Sequence, residues 1–244
     1  QLELVRSSGA RGIFLPGNHD WATPGAPEQG WDAIRRQARY VTEKGDPRLA
    51  FLPDAGCPGP VVRDFGGRLR LVILDTEWWL REGPKPTHPT SNCPADSEAE
   101  ILSALTSALA SAGTRAVVVA SHHPLVTGGS HGGYFGWKYH VFPLRAKNRW
   151  LWLPLPVIGS AYPLARVAGI SNQDFAGTLN ERMRAALDGV FRTHPPLLHA
   201  AGHEHNLQVF RGTSARYLAV SGSGYYRRAG PMGRRRHSRC RARR

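Results

Sequence analysis

A chain of 244 residues, 41% hydrophobic and 20% charged, has ordinary globular usage and can bury one sizeable core. Its formal charge of +14 suggests a nucleic-acid ligand, but the distribution argues against a specific one. Nine arginines stand in residues 227–244 with no acid among them, and setting them aside leaves +5 for the preceding 226 residues. A segment so charged and so poor in apolar side chains cannot offset its own ordering entropy, so 227–244 is expected to be a disordered tail. Two origins stay open for it: a non-specific polyanion-binding element, or a frame-shifted end. The globular domain is then residues 1–226. The cysteines at 57, 93 and 240 contain no Cys-x-x-Cys pair, which excludes that metal motif.

Leu2-Glu-Leu-Val-Arg6 reads as mid-helix, without initiator Met, signal peptide or cap, so an N-terminal part of several tens of residues is expected to be missing. Gly12-Ile-Phe-Leu-Pro16 is a short strand, and 30–43 carries a weak helical pattern. Arg70-Leu-Val-Ile-Leu-Asp75 is a near-continuous apolar strand of the kind covered on both faces. Cys57 and Cys93 lie in Pro-containing loops on either side of it, and both a disulfide and two free thiols are open. A disulfide requires an oxidising compartment, and a secreted or periplasmic location is favoured over the cytoplasm.

Asp96 is a candidate N-cap for a helix running to about Ser111 and stopped by Gly113. Ala116–Ala120 is a second buried strand. An insertion follows, roughly 127–173. Its Gly128-Gly-Ser-His-Gly-Gly133 portion is expected to be a mobile loop. Trp150–Gly159 is strongly apolar, but Pro154 and Pro156 make it too short and too interrupted to cross a bilayer, and no transmembrane segment is expected. Packing over the core is its expected role, with contact at a membrane interface as the alternative. Residues 174–192 form a helix with Leu179, Met183, Leu187 and Val190 on one stripe. Leu197–Ala201 is a third strand, and 208–211 with 216–220 resembles a β-hairpin. Strands alternating with helices indicate a layered α/β domain.

Three islands carry the chemistry: Gly17-Asn18-His19-Asp20, Ser121-His122-His123-Pro124 and Gly202-His203-Glu204-His205-Asn206. Each follows a strand and offers neutral imidazole or amide-oxygen donors, the usual means of holding a borderline divalent cation. His203 and His205 are two apart, which on an extended segment directs both to one face.

Taken in order, the islands resemble the last three of the five metal-site motifs of the calcineurin-like metallophosphoesterase superfamily, over roughly residues 11 to 224. The first two motifs are absent. No Asp-x-His occurs, and the only Gly-Asp, Gly45-Asp46, follows the third motif and sits in a turn. The resemblance implies two mixed β-sheets packed face to face and flanked by helices, with the N-terminal strands missing. It implies a complete enzyme with two divalent or trivalent ions (Mn, Zn or Fe) that hydrolyses phosphoesters with a metal-bound hydroxide. Asn18, His203 and His122, rather than His123, fall on the second metal, and His205 on the first. His19 falls on the general acid, with Asp20 orienting its ring, while His131 is placed to close over the phosphate. This chain, lacking the bridging carboxylate, is expected to hold one ion loosely and to be inactive alone. A polyanion-binding protein acting through the tail is the alternative.

Overall fold

The computed structural model describes residues 2–22, 29–43, 45–146, 148 and 150–222; the tail 227–244 lies outside them. In chain order the strands are β1 (Gly12–Phe14), β2 (Leu49–Phe51), β3 (Val61–Phe65), β4 (Leu69–Ile73), β5 (Ala116–Ala120), β6 (Leu198–Ala201), β7 (Leu207–Arg211) and β8 (Tyr217–Ser221). The helices are α1 (Leu2–Ser8), α2 (Gly30–Glu43), α3 (Glu77–Leu80), α4 (Glu98–Ala110), α5 (Trp137–Val141), α6 (Ile158–Val167) and α7 (Thr178–Thr193).

Six strands form one mixed sheet in the order β3-β4-β5-β6-β8-β7, in which β4, β5, β6 and β8 run parallel and the outer strands antiparallel. The second sheet differs from the pair of mixed sheets expected: it has two strands, β1 and β2, paired in parallel. The strand β2 is three residues long, too short for a periodic signal.

Alternation along the central strands decides what packs where. Val72, Val119 and Leu218 share a face and are buried with Ile101 and Leu105 of α4 and Met183, Leu187 and Phe191 of α7. On the other face Ile73 and Asp75 are fully buried while Leu71 and Val118 stay partly exposed, so the run 70–75 is covered on both sides toward its C-terminal end. A second core joins Ile34, Ala38 and Val41 of α2 to Leu49 and Phe51 of β2, with Trp21 fully buried. The Trp21 indole N–H donates to Asp75 Oδ2 at 2.8 Å, tying this smaller core to the end of β4.

Local chemistry moved several boundaries. The N-cap of α4 is Ser97, which forms a capping box with Glu100; Asp96 instead accepts from the His88 N–H. Helix α7 starts at Thr178 rather than 174, because Asp174 is buried against Arg166 while residues 171–177 turn. Cys57 and Cys93 form a disulfide.

The insertion departs furthest from expectation. Gly128–Gly133 is pinned rather than mobile. Glu204 is fully buried, and its Oε1 accepts from Thr127 Oγ1 (2.8 Å), His131 N (2.9 Å) and Gly132 N (3.3 Å). A Cβ at Gly129 would collide with the Glu204 carboxylate, so glycine is required there by close approach. Nor does the apolar stretch 150–159 cover the core: Trp152 is 50% and Leu153 54% exposed.

The 36-residue separation of Cys57 and Cys93 sets a loop-closure contribution of about 4 kcal/mol on the chain-entropy account, so Cys93→Ser should lower unfolding stability by up to that amount in denaturant titrations. His199 is buried between Ser121 Oγ (2.8 Å) and the Phe191 ring, and burial pushes its pKa down to about 4. Its folded pKa lies below its unfolded value, so its contribution is present above about pH 6.5 and lost as pH falls toward 4. That loss is worth roughly 3 kcal/mol. His199→Gln should flatten the acid side of the stability–pH curve over that window, and an unchanged slope would contradict it.

Candidate metal centre

Parallel pairing places the centre. The β5–β6 register, Val118 with Leu198 and Ala120 with Ala200, continues past the strand ends through Ser121 N to Ala200 O (3.1 Å) and Gly202 N to His122 O (3.0 Å). His122 and His203 are therefore neighbours at the C-terminal edge of the sheet, where α/β folds commonly bind ligands. The loop after β1 brings Asn18 to the same point. A Cβ at Gly17 would come within 2.5 Å of His122 Nδ1, so the absence of a side chain there lets the imidazole lie against the backbone.

Three atoms meet. Asn18 Oδ1 is 2.9 Å from His122 Nε2, and His203 Nδ1 is 3.2 Å from the same nitrogen. His203 Nε2 lies 3.0 Å from the Gln173 carbonyl, which only accepts, so that nitrogen carries the proton and Nδ1 presents its lone pair. Burial pushes the pKa values of both His122 and His203 well below the usual histidine range, and neighbouring histidines press them further down. Both rings are therefore neutral near pH 7. Convergent acceptor atoms require something positive between them, either a single N–H proton or a cation.

His122, His123 and His203 together form a group that could hold a metal ion, with one ring nitrogen from each lying within 4.8 Å of the others. His123 is the weakest of the three candidates. Its backbone N–H donates to Thr76 Oγ1 (3.0 Å), leaving the hydroxyl proton to reach His123 Nδ1 (2.9 Å), while Nε2 donates to Gln173 Oε1 (3.1 Å). Its lone pair is occupied. Behind it, Gln173 Nε2 donates to Glu77, whose carboxyl is pushed up to about 7 by burial, against the opposing effects of Gln173 and Arg81. Burial holds His123 down at about 4. Between those values Glu77 keeps its proton and His123 stays neutral, so the pair adds no net buried charge.

The other expected residues are placed unequally. His131 stacks on His203 with ring centroids 3.9 Å apart. Its Nδ1 lies 2.6 Å from Arg166 Nη2, which only donates, and 3.2 Å from the Gln173 carbonyl, which only accepts, so either tautomer of the neutral ring has a partner there. Burial, then the Arg166 charge, lowers the His131 pKa to about 3. His19 is exposed, close enough to depress the His122 pKa. Asp20 does not orient it: the Asp20 Oδ2 accepts from Gly17 N at 2.8 Å, closing the turn that presents Asn18. His205 does not share a face with His203. Consecutive tight turns, Glu204 N to Gly202 O (2.7 Å) and Asn206 N to Glu204 O (2.8 Å), put His203 at φ 63° and leave His205 exposed, yet close enough, like His19, to depress the His122 pKa.

Sequence reasoning missed Thr76, Glu77, Gln173, Glu204 and Arg166. Glu204 lay inside a recognised island and could have been found as an acid between two histidines; the others carry no local signal. Comparison with family models and with curated proteins found no match.

The geometry predicts one Zn²⁺ or Mn²⁺ per chain by metal analysis after dialysis. Asn18→Ala and His203→Ala should each weaken binding by at least tenfold. His123→Gln, with unchanged far-UV circular dichroism, should keep the ion. A loss in His123→Gln equal to that in His203→Ala would move the third ligand from Asn18 to His123.

Proposed function

We propose that this chain carries the metal-holding part of a metal-dependent phosphoester hydrolase resembling the calcineurin-like metallophosphoesterases. The observation that supports the reading is the meeting of Asn18 Oδ1, His122 Nε2 and His203 Nδ1 at the ends of sheet strands. The donor set fits a borderline divalent ion: one amide oxygen, two neutral imidazoles, and a His203 ring oriented by a backbone carbonyl. When bound, such an ion neutralises phosphate charge and acidifies water. The described ligands are all neutral and suffice for one ion, so two ions per chain are not part of the proposal.

The chain's own groups supply the rest. His131, in the tautomer whose Nδ1 accepts from Arg166, would carry an Nε2–H to donate to a phosphate oxygen. Arg166 brings a cation to the same corner while Asp174 holds its other edge. His19 is exposed beside His122, suited to protonate a departing alkoxide and exchange its proton with water. The Cys57–Cys93 disulfide supports an oxidising compartment, secreted or periplasmic.

The test is a panel of chromogenic phosphomonoesters and diesters with Mn²⁺ or Zn²⁺, run on the chain alone and with an added segment bearing Asp-x-His and Gly-Asp motifs. Metal-dependent hydrolysis, abolished by His203→Ala, supports the reading. A chain that binds its ion yet hydrolyses no phosphoester under either condition overturns it. Where activity is found, His19→Ala should lower turnover by roughly 10²–10⁴-fold while keeping the metal. That loss should shrink for good leaving groups, and an equal loss for all of them would remove His19 from the acid role.

A further inference from the structure

Residues 127–173 contain five basic side chains, Lys138, Arg145, Lys147, Arg149 and Arg166, and no Asp or Glu. The same segment puts large apolar groups into water. Trp137 is 64% exposed and Trp152 50%, and Phe142 joins them into one aromatic surface, with ring centroids 6.3 and 5.2 Å apart. Arg145 stacks over the Trp152 ring at 3.6 Å, and Lys138 lies beside Trp137. Helix α6 extends this surface with Ile158, Leu164 and Val167, each more than half exposed. Soluble surfaces rarely gather apolar side chains so densely without a partner.

We propose that α5, α6 and the 150–157 connection form a docking surface for an anionic phospholipid bilayer. Three features of the segment select this occupant. Tryptophan favours the headgroup boundary, where its ring is half buried and its N–H stays wet. Ile158, Leu164 and Val167 of α6 are exposed aliphatic groups suited to the acyl boundary, while the one charge on the helix, Arg166, turns inward to Asp174. Lys138 beside Trp137 and Arg145 over Trp152 set cations in this surface, complementary to a negative lipid surface and poorly complementary to a second copy of themselves. No helix among the described residues is long and apolar enough to cross a membrane, so the surface would lie on the bilayer. From the inner side of α6, Arg166 reaches His131 and Asp174, placing the metal centre one side chain from the docked helix.

The proposal does not depend on the hydrolytic reading and is tested without metal. The full chain is mixed with vesicles of phosphatidylcholine alone or with phosphatidylglycerol, and sedimentation is compared with that of a Trp152→Ser/Ile158→Ser variant. Both positions are exposed, so the variant should fold normally and, when loaded, hold metal as the parent does. Binding to the anionic vesicles, weaker on phosphatidylcholine and reduced about tenfold or more in the variant, is the expected result. Binding that is equal in the variant and vanishes in high salt would assign it to the Arg-rich tail, and overturn the proposal. So would failure to bind either vesicle. Concentration-dependent self-association in analytical ultracentrifugation, lost in the variant, would give the surface to a second copy and would likewise overturn it.

Discussion

Asn18 Oδ1 and His203 Nδ1 both lie within hydrogen-bond distance of His122 Nε2, and the structure around these three residues holds two acceptors on that one nitrogen. Each member is fixed by something that cannot easily yield. His203 is held by the Gln173 carbonyl on its far nitrogen, Asn18 by a turn that the Asp20 carboxylate closes, and His122 by the continued pairing of β5 with β6. Burial keeps both imidazoles neutral, so protonating them to relieve the crowding is itself unfavourable. The backbone at His203 adds to the cost, since a non-glycine residue at φ 63° is strained by about 1 kcal/mol or more. Strain of this kind persists where the surroundings over-determine it, and here those surroundings point two ring nitrogens and an amide oxygen at one place.

Strand-end placement was legible in the sequence because it needs only local information. An apolar run followed by a Gly- or Pro-bounded polar island predicts a strand and the loop at its end, and β5 and β6 satisfy this for His122 and His203. What the sequence could not show was orientation. The two-residue spacing of His203 and His205 implies one face only if the segment is extended, and the turns within 202–206 separate them. Asp20 looked like a partner for the adjacent His19, yet an i to i−3 backbone bond was nearer. Adjacent residues on a turn often diverge, and a carboxylate takes the closest N–H.

The supporting layer was invisible for a different reason. Thr76, Glu77 and Gln173 meet His123 across large sequence separations, and nothing in their local context distinguishes them from surface polar residues. Their common effect is to consume the hydrogen-bonding capacity of His123, which is why two adjacent histidines in one island take different roles. Glu204 acts similarly at the 128–133 loop: one buried carboxylate converts a glycine-rich stretch into a fixed wall beside the centre. The insertion links the two surfaces of functional interest, since its Arg166 faces the centre while Ile158, Leu164 and Val167 of α6 face outward.

As proposed, Asn18, His122 and His203 would meet at a cation with two imidazoles and an oxygen from the chain. Zinc K-edge absorption on the metal-loaded protein reads this coordination directly. The account predicts outer-shell scattering from two imidazoles, with the remaining ligands oxygen, falling to one imidazole in His203→Ala. Three imidazoles would instead draw His123 into the shell, and scattering from none would show that the three acceptor atoms are bridged by a proton and not by a metal.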